Sequence, residues 1–353
     1  MGRVNVLLTL GLTDRLVRRV RAVDPRLAVK LLSPAQRRIY RGGRSIWYGY
    51  AEDEEEVGAG KEASGAAVRD LEAALARTEV LLTSPTIHPD IVTLAPGLRW
   101  VQLTSAGVDH LLESDLVKKG VVLTTASGVH AITMGEFVLG LILSFAKGLH
   151  GAVRQQRERS WRPYLADELY GKTVGIIGLG AIGGQIARLA KALGMRVLAT
   201  RRSTGGRRQG AGDVDELLPP SSLSYLLAES DYVVIAAPLT AETRHMVGEM
   251  ELRAMKRSAV IINVSRGAIV DEAALVRALK EGRVAGAALD VFEVEPLPPQ
   301  SELWAMDNVV ITPHVAGGTP LYMERAVDLF CDNLRRYLSG EPLRNLVDVA
   351  RGY

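Results

Sequence analysis

The sequence predicts an α/β fold made of two doubly wound domains, in which parallel sheets carry helices on both faces. Short apolar runs of strand length alternate with helix-like segments along almost the whole chain, a pattern typical of parallel sheets. The chain has 353 residues, enough for two domains that each bury a sizeable core. The third observation is a glycine-rich turn near residue 178, which directly follows one strand-like run and precedes a helical pattern.

The first third of the chain contains the strand candidates of one sheet. They are VNVLLTL, LAVKLLS, EVLLTS, LRWVQLTS and VVLTT. Between the second and third candidates lies a polar, glycine-rich segment with five consecutive acids at residues 52–56. Runs of like charge are usually solvated, so we predict a surface loop there.

A second series of strand candidates begins near residue 172 and predicts the other sheet. Its members are KTVGIIGLG, MRVLATR, YVVIAAP, AVIINVS, VAGAALDVF and NVVITPH. Six strands with intervening helices match a doubly wound nucleotide-binding domain. The segment 130–156 before this series predicts one long helix, and its apolar stretch 137–146 predicts a helix that is buried or faces another subunit. The segment 321–340 predicts an amphipathic helix that ends at a glycine and packs on the first domain.

Composition and charge exclude several classes of function. Apolar residues make up 47% and charged residues 24%, as in ordinary globular proteins, and the net charge of +3 is too small to indicate a nucleic acid or an anionic membrane as partner. The stretch 137–146 is shorter than the roughly 20 residues that a membrane helix needs. A single cysteine, Cys331, excludes an internal disulfide. We expect a cytoplasmic protein, and we predict no metal site.

The glycine-rich turn has the spacing of a dinucleotide-binding motif. Gly178, Gly180 and Gly183 follow an apolar run and open a helical pattern, which is the context that the motif requires. The first glycine permits a tight turn, the second lets the backbone approach a pyrophosphate, and the third lets the helix pack against the strand. The amides near Ala181 and Ile182 then point at the diphosphate from the helix N-terminus. The second domain is therefore predicted to be a Rossmann domain.

Cations fill the position where a carboxylate usually binds the adenosine ribose of NAD, about 20 residues after the first glycine. Arg201 and Arg202 stand there, Arg207 and Arg208 follow, and no acid lies between residues 196 and 212. The chain has 34 arginines, so composition explains one of them but not four without an acid among them. A guanidinium can pair with a 2′-phosphate and stack on adenine. The sequence therefore favours NADP(H), with NAD(H) as the alternative.

Three polar residues follow the later strand candidates, where open α/β sheets place their active sites. They are Arg266, Glu295 and His314. Each alone has an ordinary structural explanation, as a turn residue, a solvated acid or a capping histidine. Together they suit hydride transfer at a 2-oxo acid, because a histidine exchanges protons near neutral pH, a glutamate holds it, and a guanidinium binds a carboxylate and polarises the adjacent carbonyl.

Longer strings extend this pattern to a family resemblance. The strings GLGAIG, PLTAETRHMV, INVSRGAIVDEAALVRAL, ALDVFEVEPLP and VVITPHVAGGT are similar to the D-isomer-specific 2-hydroxyacid dehydrogenase family. The resemblance is continuous from about residue 98 to residue 318 and weaker across the first 95 residues. It implies that Arg266 binds and orients the substrate carboxylate, and that Glu295 and His314 form the acid/base pair.

The resemblance also implies further contacts. Asp290 would bind the nicotinamide carboxamide, with Val264 and Pro238 lining that side of the cofactor. The loop QLTSAGVDHL would hold the substrate carboxylate through the backbone amides near Ala106 and Gly107, together with Arg266 and His314.

The family's domain arrangement carries over in the same way. A Rossmann domain at 127–317 would be inserted into a flavodoxin-like substrate domain at 1–126 and 318–353. Relatives usually form homodimers through the cofactor domain, which would explain the apolar helix after residue 134. Two positions depart from the family pattern. Ala237 stands where many relatives have a polar residue, and Gly135 stands where relatives often have alanine.

The sequence thus predicts an NADP-preferring oxidoreductase that reduces a small 2-oxo acid of the glyoxylate or hydroxypyruvate type. The alternatives are an NAD-dependent enzyme of the phosphoglycerate or lactate type and a nucleotide-sensing corepressor-like protein of the same fold. Retention of Glu295 argues against formate oxidation, because that type typically has an amide at this position.

Overall fold

The computed structural model describes residues 2–42 and 65–351 of the chain. The chain divides into two compact units, Met1–Val129 with Gly318–Tyr353 (unit 1) and His130–Gly317 (unit 2). The acidic run at 52–56, for which we predict a surface loop, lies outside the described residues.

Unit 1 contains one parallel sheet, and all five strands predicted in the first third of the chain belong to it. The sheet order is 2-1-3-4-5, the flavodoxin-like order, for β1 (Val4–Leu8), β2 (Leu27–Leu31), β3 (Val80–Thr83), β4 (Trp100–Leu103) and β5 (Val122–Thr124). The helices of this unit are α1 (Asp14–Arg21), α2 (Pro34–Tyr40), α3 (Gly65–Leu75), α4 (Ile91–Leu94), α5 (Asp115–Lys118) and α12 (Tyr322–Ser339).

The C-terminal helix α12 packs against the sheet of unit 1. Its buried side chains Val327, Phe330 and Leu334 join the same apolar cluster as Trp100 of β4, and the rings of Trp100 and Phe330 lie 5.4 Å apart. The helix ends at Gly340, which has a left-handed φ of 74°. This arrangement returns the chain to the first sheet after the whole of unit 2.

Unit 2 contains an eight-stranded sheet in the order 13-12-11-10-6-7-9-8. Its strands are β6 (Thr173–Ile177), β7 (Arg196–Thr200), β8 (Arg208–Ala211), β9 (Val214–Leu218), β10 (Tyr232–Ile235), β11 (Val260–Asn263), β12 (Gly286–Leu289) and β13 (Val309–Ile311). Its helices are α6 (Ala131–Ala146), α7 (Leu149–Arg157), α8 (Ala181–Ala192), α9 (Leu223–Glu229), α10 (Glu249–Ala254) and α11 (Glu272–Lys280). Reading β9-β7-β6-β10-β11-β12 gives the Rossmann order 3-2-1-4-5-6. The predicted fold class is confirmed.

The prediction of six strands for this sheet was incomplete, because β8 and β9 were missed. Strand β9 has the sequence VDELL, and its two acids break the apolar pattern by which strands are detected. Glu216 is nevertheless buried in this strand, because Arg196 of β7 forms an ion pair with it at 2.5 Å. The edge strand β8 runs antiparallel to β9 and has no buried residue, so it lacks the same signal.

The prediction of one long helix over 130–156 was wrong. The helices α6 and α7 are separate and meet at an angle of 65°. The break lies at Gly148, whose φ of 62° is left-handed and therefore incompatible with a continuous α-helix. A β-carbon at this position would lie 2.7 Å from the ring of Tyr164, so close packing also favours glycine.

Within the described residues, no single helix has the length and apolar composition needed to cross a membrane. The bent pair α6 and α7 passes such a test only when the two helices are taken together. Helix α6 buries six of its 16 residues inside unit 2, where it packs on α8. A β-carbon at Gly135 would lie 2.6 Å from Cγ of Gln185, which gives a physical reason for glycine where relatives often have alanine.

Candidate functional site

The glycine-rich turn joins β6 to α8, and each of its three motif glycines has a distinct environment. Gly178 has a φ of 100°, and a β-carbon there would lie 2.7 Å from the backbone of Ala237. A β-carbon at Gly183 would overlap with the carbonyl oxygen of Gly178, so helix and turn are in direct backbone contact. At Gly180 a β-carbon would meet no described atom within 4 Å, so the backbone faces open space.

Helix α8 begins immediately after this turn and presents its N-terminus there. Its N-cap is Gly180, and no described side chain caps the helix at that residue. The first-turn amides, those of Ala181 and Ile182 among them, lie at the positive end of the helix dipole. Exposed backbone at Gly180 beside such an N-terminus fits a diphosphate. The residues present at this turn therefore fit the diphosphate of a dinucleotide.

Strand β7 ends beside this turn, and the two arginines of interest follow it. The amide of Arg201 donates to the carbonyl oxygen of Leu218 at 3.1 Å, and the side chains of Arg201 and Arg202 are exposed. Glu242, from the loop after β10, has a lowered pKa because Thr240 donates a hydrogen bond to it, and the charge of Arg202 contributes. An acid from outside the acid-free stretch 196–212 thus interacts electrostatically with Arg202.

Arg207 belongs to a structural ion network and was wrongly grouped with the phosphate-site cations. Its guanidinium pairs with the buried carboxylate of Glu216 and lies 4.7 Å from the ring centroid of Tyr225. Glu216 pairs with Leu198 in the strand register and also binds Arg196, the first residue of β7. Arg207 is therefore engaged beside the middle of β7, away from its carboxyl end.

Three neighbouring parallel strands, β11, β12 and β13, are followed by the segments that carry Arg266, Glu295 and His314. The carboxylate oxygen Oε2 of Glu295 lies 2.7 Å from Nδ1 of His314. The other oxygen, Oε1, accepts a hydrogen bond of 3.0 Å from the backbone amide of Phe292. The structure therefore brings the predicted acid/base pair into direct contact.

The carboxylate of Glu295 is held in its ionised form. Burial opposes ionisation, but hydrogen bonds from His314 and from the amide of Phe292 outweigh that effect, and the pKa of Glu295 lies below its usual value. The charge of Arg266 also acts to lower this pKa. Because Glu295 engages Nδ1, Nε2 is the nitrogen of His314 that can exchange a proton with a substrate.

The loop that carries His314 is anchored by Asp290, which is 1% exposed. Its carboxylate accepts hydrogen bonds from Oγ1 of Thr312 at 2.6 Å and from the amides of Val315 and Ala316 at 2.9 Å each. Its carbonyl oxygen accepts from the amide of His314 at 2.8 Å. His314 has a φ of 53°, an uncommon left-handed conformation for a non-glycine residue, and these bonds hold it there.

The remaining predicted residues are placed as follows. Val264 is buried directly after β11, and Pro238 is exposed after β10 with its carbonyl oxygen bonded to Oγ1 of Thr243 at 2.7 Å. Ala106 and Gly107 lie in unit 1, in the loop after β4. There the hydroxyl of Ser105 donates to the carbonyl oxygen of Gly107 at 2.9 Å.

Sequence reasoning missed His130, a half-buried imidazole in unit 2. Its Nδ1 lies 3.3 Å from the carbonyl oxygen of Gly317, and its pKa is lowered by burial and by the charge of Arg266. It also missed Asn263, the last residue of β11. The sequence shows Asn263 only as one polar residue at the end of an apolar run. That pattern does not distinguish a residue that positions the site from an ordinary turn residue.

A dinucleotide-type glycine turn with a histidine–carboxylate pair after neighbouring strands defines a nicotinamide-dependent oxidoreductase. Residues 139–316 match the family model described as D-isomer specific 2-hydroxyacid dehydrogenase, NAD binding domain. The chain belongs to the D-isomer specific 2-hydroxyacid dehydrogenase family, whose members act on small 2-oxo and 2-hydroxy acids.

Named relatives and solved structures agree with this assignment. A glyoxylate reductase of Korarchaeum cryptofilum is 40% identical over 277 residues, which is 76% of this chain and 81% of that protein. The D-isomer specific 2-hydroxyacid dehydrogenase of Xanthobacter autotrophicus Py2, solved with NADPH and MES, is 30% identical over the whole of both chains, with a TM-score of 0.78. An NADPH-dependent glyoxylate/hydroxypyruvate reductase of Sinorhizobium meliloti, solved with NADP and sulfate, is 26% identical, covers 99% of this chain and 100% of that one, and has a TM-score of 0.74.

Proposed function

We propose that this protein is an NADP-preferring reductase that converts glyoxylate, hydroxypyruvate or a similarly small 2-oxo acid into the 2-hydroxy acid. The observation that carries the proposal is the Glu295–His314 pair, with Oε2 and Nδ1 2.7 Å apart, in a unit that also holds a dinucleotide-type glycine turn. The glyoxylate reductase of Korarchaeum cryptofilum, 40% identical, supports the substrate class.

The reaction divides between the cofactor and the side chains. NADPH, when bound, supplies the hydride that adds to the carbonyl carbon. His314 donates a proton from Nε2 to the carbonyl oxygen, and Glu295 stabilises the imidazolium before the transfer. Arg266 binds the substrate carboxylate and polarises the carbonyl. The assignment of the Ala106 and Gly107 amides to that carboxylate rests on the family resemblance.

The cofactor contacts are proposed as follows. The diphosphate is assigned to Gly178, Gly180, Ala181, Ile182 and Gly183, and the 2′-phosphate to Arg201 and Arg202. Asp290, Val264 and Pro238 are assigned to the nicotinamide side. The two relatives solved with NADPH or NADP support the NADP preference.

The function is tested by following cofactor oxidation with glyoxylate, hydroxypyruvate, pyruvate and 3-phosphohydroxypyruvate, with NADPH and again with NADH. We expect the highest kcat/KM with NADPH and one of the first two acids. A preference for 3-phosphohydroxypyruvate would favour the second candidate, which is supported by a D-3-phosphoglycerate dehydrogenase of Methanocaldococcus jannaschii. That relative is 32% identical over 84% of this chain. The matched region is only 56% of the length of the relative. Nucleotide binding without turnover would instead indicate a corepressor-like protein.

Substituting Arg201→Asp is expected to lower the ratio of kcat/KM for NADPH to that for NADH by about 10- to 100-fold, because a charge-assisted hydrogen bond contributes roughly 1.5–3 kcal/mol. Arg257→Asp is the matched control, since this exposed arginine precedes the amino-terminal end of β11, whereas Arg201 follows the carboxyl end of β7, and the charge change is identical. A wild-type preference for NADH, or equal effects of the two variants, would refute the phosphate site.

We also propose a homodimer that forms through unit 2 and a cytoplasmic location. The support for a dimer is the mixed charged and apolar segment 149–170, in which Trp161 is 94%, Leu165 100% and Tyr170 81% exposed. Large aromatic side chains are enriched at protein interfaces. The reducing cytoplasm suits the single cysteine.

Light scattering of the wild-type protein is expected to give about twice the chain mass of 38.2 kDa. The double variant Trp161→Glu with Leu165→Glu is expected to give the monomer mass, because charges in a buried interface are costly. Trp304→Glu is the control, since Trp304 is another exposed tryptophan of the same unit, outside the segment. A monomeric wild type would contradict the dimer.

A further inference from the structure

Asn263 is a buried amide at the carboxyl end of β11, three residues before Arg266. It is 1% exposed, and the other residues of its strand, Val260, Ile261 and Ile262, are buried and apolar. A buried polar side chain costs free energy unless its hydrogen bonds are made, so its presence calls for a specific role.

Both ends of the Asn263 amide are engaged by the segment that follows. Oδ1 accepts a hydrogen bond from the backbone amide of Ser265 at 3.1 Å, and Nδ2 donates to the carbonyl oxygen of Arg266 at 2.9 Å. One partner is a donor and the other an acceptor, and an amide supplies the matching acceptor oxygen and donor nitrogen. The side chain therefore closes a small loop over residues 263–266.

The backbone on the other side of Arg266 is also fixed. Gly267 is buried, and a β-carbon there would overlap with the backbone of Phe292. Gly267 therefore packs directly on the chain whose Phe292 amide binds Glu295. The backbone of Arg266 itself is extended, with φ −139° and ψ 138°. Asn263 before it and Gly267 after it therefore fix the backbone from which the Arg266 side chain extends.

We propose that Asn263 is a positioning residue for Arg266, which sets the direction of the guanidinium that receives the substrate carboxylate. This inference rests on the proposed function, because it assumes that Arg266 binds that carboxylate. Asn263 acts through the backbone of Arg266, since its amide is buried and is bonded to the residues that follow it. Misplacement of a substrate-binding group by about 1 Å can cost on the order of 100-fold in rate.

The test is Asn263→Ala, assayed for glyoxylate reduction, NADPH affinity and binding of oxamate, a non-reacting mimic of a 2-oxo acid. We expect KM for glyoxylate and Kd for oxamate to rise by about 10- to 100-fold, with Kd for NADPH changed less than about threefold. The double variant Asn263→Ala with Arg266→Gln should bind oxamate no more weakly than Arg266→Gln alone. The reason is that both substitutions disrupt the same interaction, the one between Arg266 and the carboxylate.

Asn333→Ala is the matched control for lost stability. Asn333 is a fully buried amide of α12 in unit 1, and it bonds the backbone of Arg344 through both ends of its side chain, at 2.8 and 3.1 Å. We expect a lowered Tm in both variants and weaker oxamate binding in Asn263→Ala alone.

Unchanged oxamate affinity in a folded Asn263→Ala variant would overturn the inference, as would additive losses in the double variant. An inactive wild type whose oxamate affinity still depends on Asn263 would refute the proposed function and keep the positioning role.

Discussion

Replacing His314 by alanine is expected to lower kcat for glyoxylate reduction by about 10²- to 10⁴-fold, the usual contribution of a general acid. The substitution removes the proton donor and leaves Glu295 without its partner at 2.7 Å. The affinity for NADPH should stay within about threefold of the wild-type value. The glycine turn lies between β6 and α8, and none of its described hydrogen bonds involves the His314 loop. Stopped-flow or steady-state loss of NADPH absorbance measures kcat, and fluorescence titration measures the affinity.

The chain offers a closely matched control for this variant. His245 also has a left-handed φ, of 51°, and its Nε2 lies 2.9 Å from Oε1 of Glu293, so His245→Ala removes the same kind of pair in the same unit. We expect that variant to keep near-normal turnover. Near-normal rates in His314→Ala, or equal losses in the two variants, would contradict the assignment of the proton donor.

Replacing Arg266 by glutamine is expected to lower kcat/KM for glyoxylate by about 10²- to 10⁴-fold. A bidentate guanidinium–carboxylate pair makes two charge-assisted hydrogen bonds, each contributing roughly 1.5–3 kcal/mol. Most of the loss should appear in KM, and part should appear in kcat because the same charge polarises the carbonyl. Oxamate affinity should fall in parallel.

Two further variants show whether this loss is specific. Arg266→Lys keeps the charge but lacks the planar fork, so it should recover only part of the activity. Arg277→Gln on α11 removes an exposed arginine that lies 3.7 Å from Glu249, and we expect no measurable effect on KM. Full activity in Arg266→Lys would show that charge alone, without bidentate geometry, accounts for substrate binding.

Most of the architecture could be predicted because local sequence patterns, above all short apolar runs, indicate where the strands lie. The eleven predicted strands all occur, since each is a short apolar run and parallel strands are buried on both faces. The strands β8 and β9 were missed because the burial of Glu216 depends on a cation from another strand. The helix break at Gly148 was missed because a single glycine is tolerated inside many helices.

The sequence by itself determined which residues stand at the carboxyl ends of neighbouring strands: Arg266, Glu295 and His314. The alternation of strands and helices predicts a parallel sheet, and sites in such sheets lie at the carboxyl ends of the strands, so the sequence alone indicates these positions. Only the tertiary structure decided through which atoms and at what distance Glu295 contacts His314, that Arg207 is engaged by Glu216, and that Asn263 holds the segment of Arg266. The physical reason is range. Hydrophobic periodicity indicates which face of a single segment packs against the core. A hydrogen bond or ion pair depends instead on the positions of two segments to within a fraction of an ångström.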